Sequence, residues 1–264
     1  MRRLVIALLV LIGVLLVADF GAAALAESAV SRQMRSQLAL ADDPSVRING
    51  FPFLTQAVSG EYGSVDVDAQ RISLGQLREL GVRAQLRDVE APLPMLLGSG
   101  TKTLQVRAAE GTVRIPANDI QRLLPGIEKL RIETVDDGTL ERAIDDGADV
   151  AIGDIDPDQA VRLVGSSALL GQTTEVAVLA ELQLADGQIR IVPRDIRLSS
   201  PGSPALPAAA QQSLQRLFTL QINPGSLPLQ VTPTKLRATP DGALEISGRA
   251  RDLTLGGSSS ASGG

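Results

Sequence analysis

The side chains that could do chemistry in this sequence are carboxylates, because it contains no histidine and no cysteine. That removes Ser-His-Asp and Cys-His nucleophiles and the usual zinc ligand sets in one step. Asp154, Asp156 and Asp158 open like a D-x-D-x-D calcium loop, but Gln159 stands where such a loop needs glycine and Gly165 where it needs an acidic twelfth ligand. Asp156-Pro157-Asp158-Gln159 reads instead as a helix start, with an acidic N-cap, proline at the first helical position and a capping partner. Asp136, Asp137, Asp145, Asp146 and Glu181 could supply a carboxylate pair for glycoside hydrolysis, a chemistry set by a separation in space. The aromatic platforms that usually grip sugars are scarce at 2% aromatic content. Gly98-Ser99-Gly100 lacks the lysine of a phosphate loop and reads as a turn. No catalytic residue, metal site or cofactor is expected, and the chain reads as a non-enzyme.

Binding is the remaining chemistry. The 264 residues are 44% hydrophobic, with one Tyr, four Phe and no Trp, so any core or cavity is built of Leu, Val, Ile and Ala. Aliphatic walls suit acyl chains, since each buried methylene contributes about 0.8 kcal/mol. Composition alone favours the plainer reading, in which the same residues fill a solid core. The net charge of -5 excludes nucleic acid as a partner, because that needs a basic stripe with stacking aromatics.

The elements that must position these residues begin with a leader. Arg2 and Arg3 precede an apolar run from Leu4 to Ala18, which Asp19 interrupts before small and apolar residues continue to Ala26. This is the pattern of an export signal or a signal anchor over residues 1–26. The 15-residue run spans roughly 22 Å as a helix, short of the roughly 30 Å hydrocarbon core. Ala22, Ala24 and Ala26 offer A-x-A cleavage sites, yet Glu27 to Leu40 reads as a helix continuing the same segment, with Val30, Met34 and Leu38 on one face. Cleaved signal and retained anchor both stay open. Either places the chain from Glu27 onward in the cell envelope, at the outer face of the cytoplasmic membrane or in a periplasm-like space. There, with no cysteine, burial alone must stabilise it.

Beyond the leader, residues 27–255 read as one α+β domain rich in antiparallel strands, followed by a flexible Gly/Ser tail over 256–264. Val65, Val67 and Ala69 alternate, as do Val82, Ala84 and Leu86, then Leu104, Val106 and Ala108. Val176 to Leu184 leads through Asp186-Gly187 to Ile189 and Ile191, a hairpin with a type I′ turn signal. A second pair closes around Pro240-Asp241-Gly242. The apolar parity switches within strands: between Leu86 and Val89, between Ile191 and Ile196 at Pro193, between Val231 and Leu236 across Pro233, and between Ile246 and Leu253. Each switch predicts a β-bulge, and together they predict a long, bent sheet. Short helices are expected over Pro116 to Leu124, with Ile120, Leu123 and Leu124 on one face, and over Pro204 to Phe218, with Leu214, Leu217 and Phe218.

One stretch is more specific. Arg47-Ile48-Asn49-Gly50-Phe51-Pro52-Phe53-Leu54-Thr55-Gln56-Ala57-Val58-Ser59-Gly60, followed by Tyr62-Gly63-Ser64-Val65, resembles the opening motif of the LmeA-like phospholipid-binding proteins of actinobacterial envelopes. Looser likeness covers Asp19-Phe20-Gly21, the hairpins and Leu227-Pro228-Leu229. The resemblance implies a fold like the tubular lipid-binding proteins, a long curved antiparallel sheet wrapped around an N-terminal helix. It also implies phospholipid as the partner, with phosphatidylinositol and its glycosylated derivatives among the candidates, and a supporting role in envelope lipid or lipoglycan assembly. The alternative function is a non-catalytic scaffold that assists an envelope glycosyltransferase. Phe51, Phe53, Leu54, Val58, Tyr62, Leu123, Leu124, Leu217 and Phe218 are the candidate lipid-binding residues. For the Phe51 to Val58 segment, a structural plug and a lipid gate are both open readings.

Overall fold

The computed structural model describes residues 2–92, 94, 103–169, 172–185, 188–199, 206, 208–222 and 232–255. The turns at Gly98-Ser99-Gly100 and Asp186-Gly187, the segment Leu227-Pro228-Leu229, Val231 and the tail lie outside them. In chain order the elements are α1 (Arg2–Leu38), β1 (Ser45–Asn49), α2 (Phe53–Ser59), β2 (Glu61–Leu74), β3 (Leu77–Glu90), β4 (Leu104–Pro116), α3 (Ala117–Arg122), β5 (Ile127–Thr134) and α4 (Asp137–Asp145). Two 3₁₀ turns, Val150–Asp154 and Pro157–Gln159, lead to β6 (Ala160–Leu169), β7 (Gln172–Ala185), β8 (Gln188–Leu198), α5 (Ala208–Phe218), β9 (Leu220–Ile222), β10 (Thr232–Thr239) and β11 (Ala243–Leu255). The protein is α+β, with an N-terminal helix and two curled sheets, ordered β1-β2-β3-β4-β11-β10 and β5-β6-β7-β8-β9.

The parity switches have a backbone cause. Outside glycine, Arg71, Asp88, Lys129 and Asp252 hold positive φ angles of 54°, 49°, 51° and 51° inside β2, β3, β5 and β11. A left-handed residue in a strand is the mark of a bulge, which turns the following side chains to the other face. Asp88 separates buried Leu86 from buried Val89, and Asp252 separates buried Ile246 from half-buried Leu253, as the sequence pattern predicts. In β8 the register slips where Leu179 faces Asp195 but Ala180 faces Pro193, which is the predicted switch at Pro193. Ala185 of β7 pairs with Gln188 of β8. In β4 the alternation expected through Leu104, Val106 and Ala108 breaks: Ala109 is buried after Val106, and Ala108 only half-buried.

The chain divides into two compact units: residues 1–70, 82–111 and 249–264, and residues 71–81 and 112–248. In the first, Ala26 of α1 packs with Ile48, Phe53, Ala57, Tyr62, Leu86, Val89, Ala91, Val106 and Ala109, and Ala22 and Ala23 lie against this cluster. In the second, a larger aliphatic core gathers Ile115, Ile120, Leu124, Ile132, Leu163, Val178, Ile191, Phe218, Leu236 and Leu244, among others. A small third cluster of Val135, Leu140, Ile152, Ala160 and Leu179 belongs to the same unit. Asp119 is fully buried there and accepts from the backbone N–H groups of Arg78 and Glu79 and from the Arg122 guanidinium, tying α3 to the start of β3.

Candidate functional site

The uncharged segment between Arg47 and Glu61 is folded around α2. Gly50 has φ +111°, and a Cβ there would lie 2.7 Å from Gln56 Nε2, so the turn into α2 requires glycine. Pro52 precedes the helix in an extended conformation, after a cis Phe51-Pro52 bond. At the far end Gly60 adopts the left-handed conformation with φ 74°. Its N–H donates to Gln56 O, and its carbonyl accepts from Ala91 N, both at 2.8 Å. The Gln56 side chain reaches on to β2, where its Oε1 accepts from Gly63 N at 3.3 Å.

The start of α2 is held by a residue that the sequence presents only as a break in an apolar run. Asp19 of α1 is 4% exposed, and its two carboxylate oxygens accept from Phe53 N at 2.9 Å and Leu54 N at 2.8 Å. A buried carboxylate is tolerable when its lone pairs are occupied in this way, and the first N–H groups of a helix are unpaired donors. One turn and two turns further along α1, Ala22, Ala23 and Ala26 present small side chains that let α2 and β1 approach closely. Glu27 then accepts from Ile48 N at 2.8 Å. The signal that could have revealed this was an acid followed by alanines at i+3, i+4 and i+7.

The result is an amphipathic α2. Phe53 and Ala57 face inward, and the Phe53 ring lies 6.3 Å from that of Tyr62. Burial pushes the Tyr62 phenol above its ordinary value of 10.0, and its hydroxyl has no hydrogen-bond partner among the described residues. Leu54 and Val58 face outward, 40% and 89% exposed. Phe51 is 60% exposed and stacks on Phe20 of α1 with ring centroids 6.1 Å apart. Beside the C-terminal end of α2 opens a cleft of 640 Å³, lined by Val58, Gly60, Glu61, Glu90 and Ala91 among others. Two exposed glutamates at its wall suit a cation better than a phosphate.

The remaining candidate residues lie in the second unit. Leu124 and Phe218 are fully buried in its main core, and Leu123 and Leu217 pack half-buried against it. They hold α3 and α5 in place, and an acyl chain entering there would have to part them. The candidate carboxylates have local roles. Asp136 caps α4 by accepting from Thr139 N and Oγ1, which holds its carboxyl below the usual range. Asp146 pairs with Arg197, and Glu181 with Arg194. Asp156 caps Pro157–Gln159 as predicted, through Asp158 N. Asp158 bonds Lys235 Nζ at 2.8 Å, the main cause of its lowered carboxyl.

A family model described as LmeA-like phospholipid-binding matches residues 17–248, most of the chain. The chain belongs to this family. The matched region begins two residues before Asp19, so the latch and the α2 segment both fall within it. For this LmeA-like protein, phospholipid binding is the family's property, and the resemblance drawn from Gly50 to Gly60 is supported over residues 17–248. No curated protein and no solved structure matches the chain.

Proposed function

We propose that this LmeA-like protein binds phospholipid at the outer face of the cytoplasmic membrane and supports, without catalysis, the assembly of envelope lipids or lipoglycans. The observation that carries the reading is the family match over residues 17–248. Two features agree with it. α1 is 37 residues long and apolar enough in its first half to cross a bilayer, and Phe51, Leu54 and Val58 leave apolar surface uncovered beside it. Phe51, Leu54 and Val58 are therefore the first of the candidate residues to meet lipid. Phe53, Tyr62, Leu123, Leu124, Leu217 and Phe218 would follow only if their cores open. Phosphatidylinositol-type headgroups and a glycosyltransferase partner belong to this proposal.

The test is native mass spectrometry of the full chain released from nanodiscs of phosphatidylethanolamine, phosphatidylglycerol or phosphatidylinositol. Retained lipid at defined stoichiometry is the expected outcome, and enrichment of phosphatidylinositol would support the headgroup reading. A lipid-free protein from all three would reject uptake and favour the scaffold reading, with which the close-packed core of the second unit is compatible.

A further inference from the structure

The apolar segment of α1 is too short, and the acid that ends it is not in water. Leu4 to Ala18 spans roughly 22 Å, against a hydrocarbon core of roughly 30 Å. Continuing to Leu25 adds about 10 Å and closes the gap, but this places Asp19 below the hydrocarbon boundary. A carboxylate there is costly unless it is paired. Asp19 is covered, and its oxygens take the N–H groups of Phe53 and Leu54. A single arrangement accounts for both facts: α2 lies against α1 within the membrane's outer layer, shielding the acid and completing the apolar span.

The surface around this contact fits that depth. Phe20 and Leu25 of α1 are 66% and 74% exposed, and Phe20 stacks on exposed Phe51. Leu54 and Val58 extend the apolar surface along α2. No charged residue other than shielded Asp19 occurs from Leu4 to Ala26, and none between Arg47 and Glu61. The patch is continuous along one helix with Leu4 to Val17, all of whose large side chains are uncovered. A second protein would have to cover the patch while α1 enters a bilayer, whereas the bilayer covers both at once.

We infer that Phe20, Phe51, Leu54 and Val58 form a collar that seats the first unit in the outer leaflet of the bilayer that α1 crosses. The collar places α2 at the boundary between acyl chains and headgroups, where phospholipid would be met. It rests on α1 as an anchor and not on lipid uptake, so a protein that docks without extracting lipid would fail the mass-spectrometric test and pass the following one.

The chain has no tryptophan, so a single introduced indole reports alone. Leu54→Trp and Val58→Trp, each in the full chain, would be reconstituted at low density in phosphatidylcholine vesicles, with circular dichroism matching the parent chain as the check on folding. The expected result at both positions is blue-shifted emission, quenching by lipids brominated high on the acyl chain, and several-fold weaker iodide quenching than for free N-acetyltryptophanamide. Iodide quenching equal to the free indole, without bromolipid quenching, would overturn the collar. Shielding that disappears as protein is diluted in lipid would also overturn it, by showing that a second copy covers the patch.

Discussion

At the residue scale, Tyr62 sits where two physical terms oppose each other. Its ring is 2% exposed against Phe53 and contributes to the first core, while its buried hydroxyl has no partner among the described residues. An unpaired buried hydroxyl costs about 1–3 kcal/mol relative to water, so Tyr62→Phe should leave stability at neutral pH unchanged or raise it by up to about 1 kcal/mol. The phenol is raised above 10.0 by burial. A raised folded value means that the neutral form is favoured by folding. Its contribution is complete below the unfolded value and is lost as pH rises through the folded value. The difference in urea midpoint between Tyr62→Phe and the parent should therefore be constant up to about pH 10 and then grow in favour of the variant. As the chain's one tyrosine, Tyr62 also gives an unambiguous absorbance titration at 295 nm. An ionisation midpoint at or below 10 would contradict its burial. The Phe51 to Tyr62 segment stands out in the sequence because it concentrates half of the phenylalanines. The Asp19 latch was not, because it acts across 34 positions to Phe53, and sequence shows an acid in an apolar run without showing what it will meet.

At the element scale, the curled sheets depend on bulges, and the tightest approach beside one is at Gly165. A Cβ on this β6 residue would lie 2.6 Å from Ile127 Cγ2 and 3.4 Å from Glu128 O, next to the register shift between Glu128 and Arg131. Gly165→Ala should destabilise by about 1–3 kcal/mol through overpacking. Gly63→Ala in β2, where a Cβ meets nothing within 4 Å, should stay within about 0.5 kcal/mol. Chemical denaturation of the pair checks this, and equal midpoints would show that β5 can shift without penalty. The bulges at Asp88, Asp252 and Pro193 were legible as changes of apolar parity, because each leaves a one-residue displacement in a period of two. The missed change in β4 was obscured by alanine at both Ala108 and Ala109. α4 was missed because its caps and charges, Asp136, Asp137 and Asp145, read equally well as candidate acids. Its cap is visible only once Asp136 is seen to accept from Thr139 N.

At the scale of the whole molecule, the two units leave no linker for sequence to display. β2, β3, β4 and β11 each contribute residues to both, with Val65, Leu86, Val106 and Leu253 in one cluster and Ile72, Leu80, Ile115 and Leu244 in the other. The leader is likewise shared between two roles. Cleavage after Ala22, Ala24 or Ala26 would remove Asp19 and part or all of the Ala22, Ala23 and Ala26 stripe that the first unit packs upon. It would leave Phe53 N and Leu54 N without their acceptor. Hydrogen bonds to a charged group contribute about 1.5–3 kcal/mol each, so losing both is a large share of the roughly 5–15 kcal/mol by which a typical domain is stable. We therefore expect the intact mass of protein extracted from membranes to retain residues 1–26, and a species beginning at Ala23, Leu25 or Glu27 would reject retention. The energetic reason can be tested separately. A chain beginning at Val17 keeps the latch and should unfold at a urea concentration close to that of the full protein, whereas one beginning at Glu27 should unfold several kcal/mol earlier. If the two unfold together, Asp19 does not hold α2, and the proposed coupling between the leader helix and the α2 segment fails at its first contact.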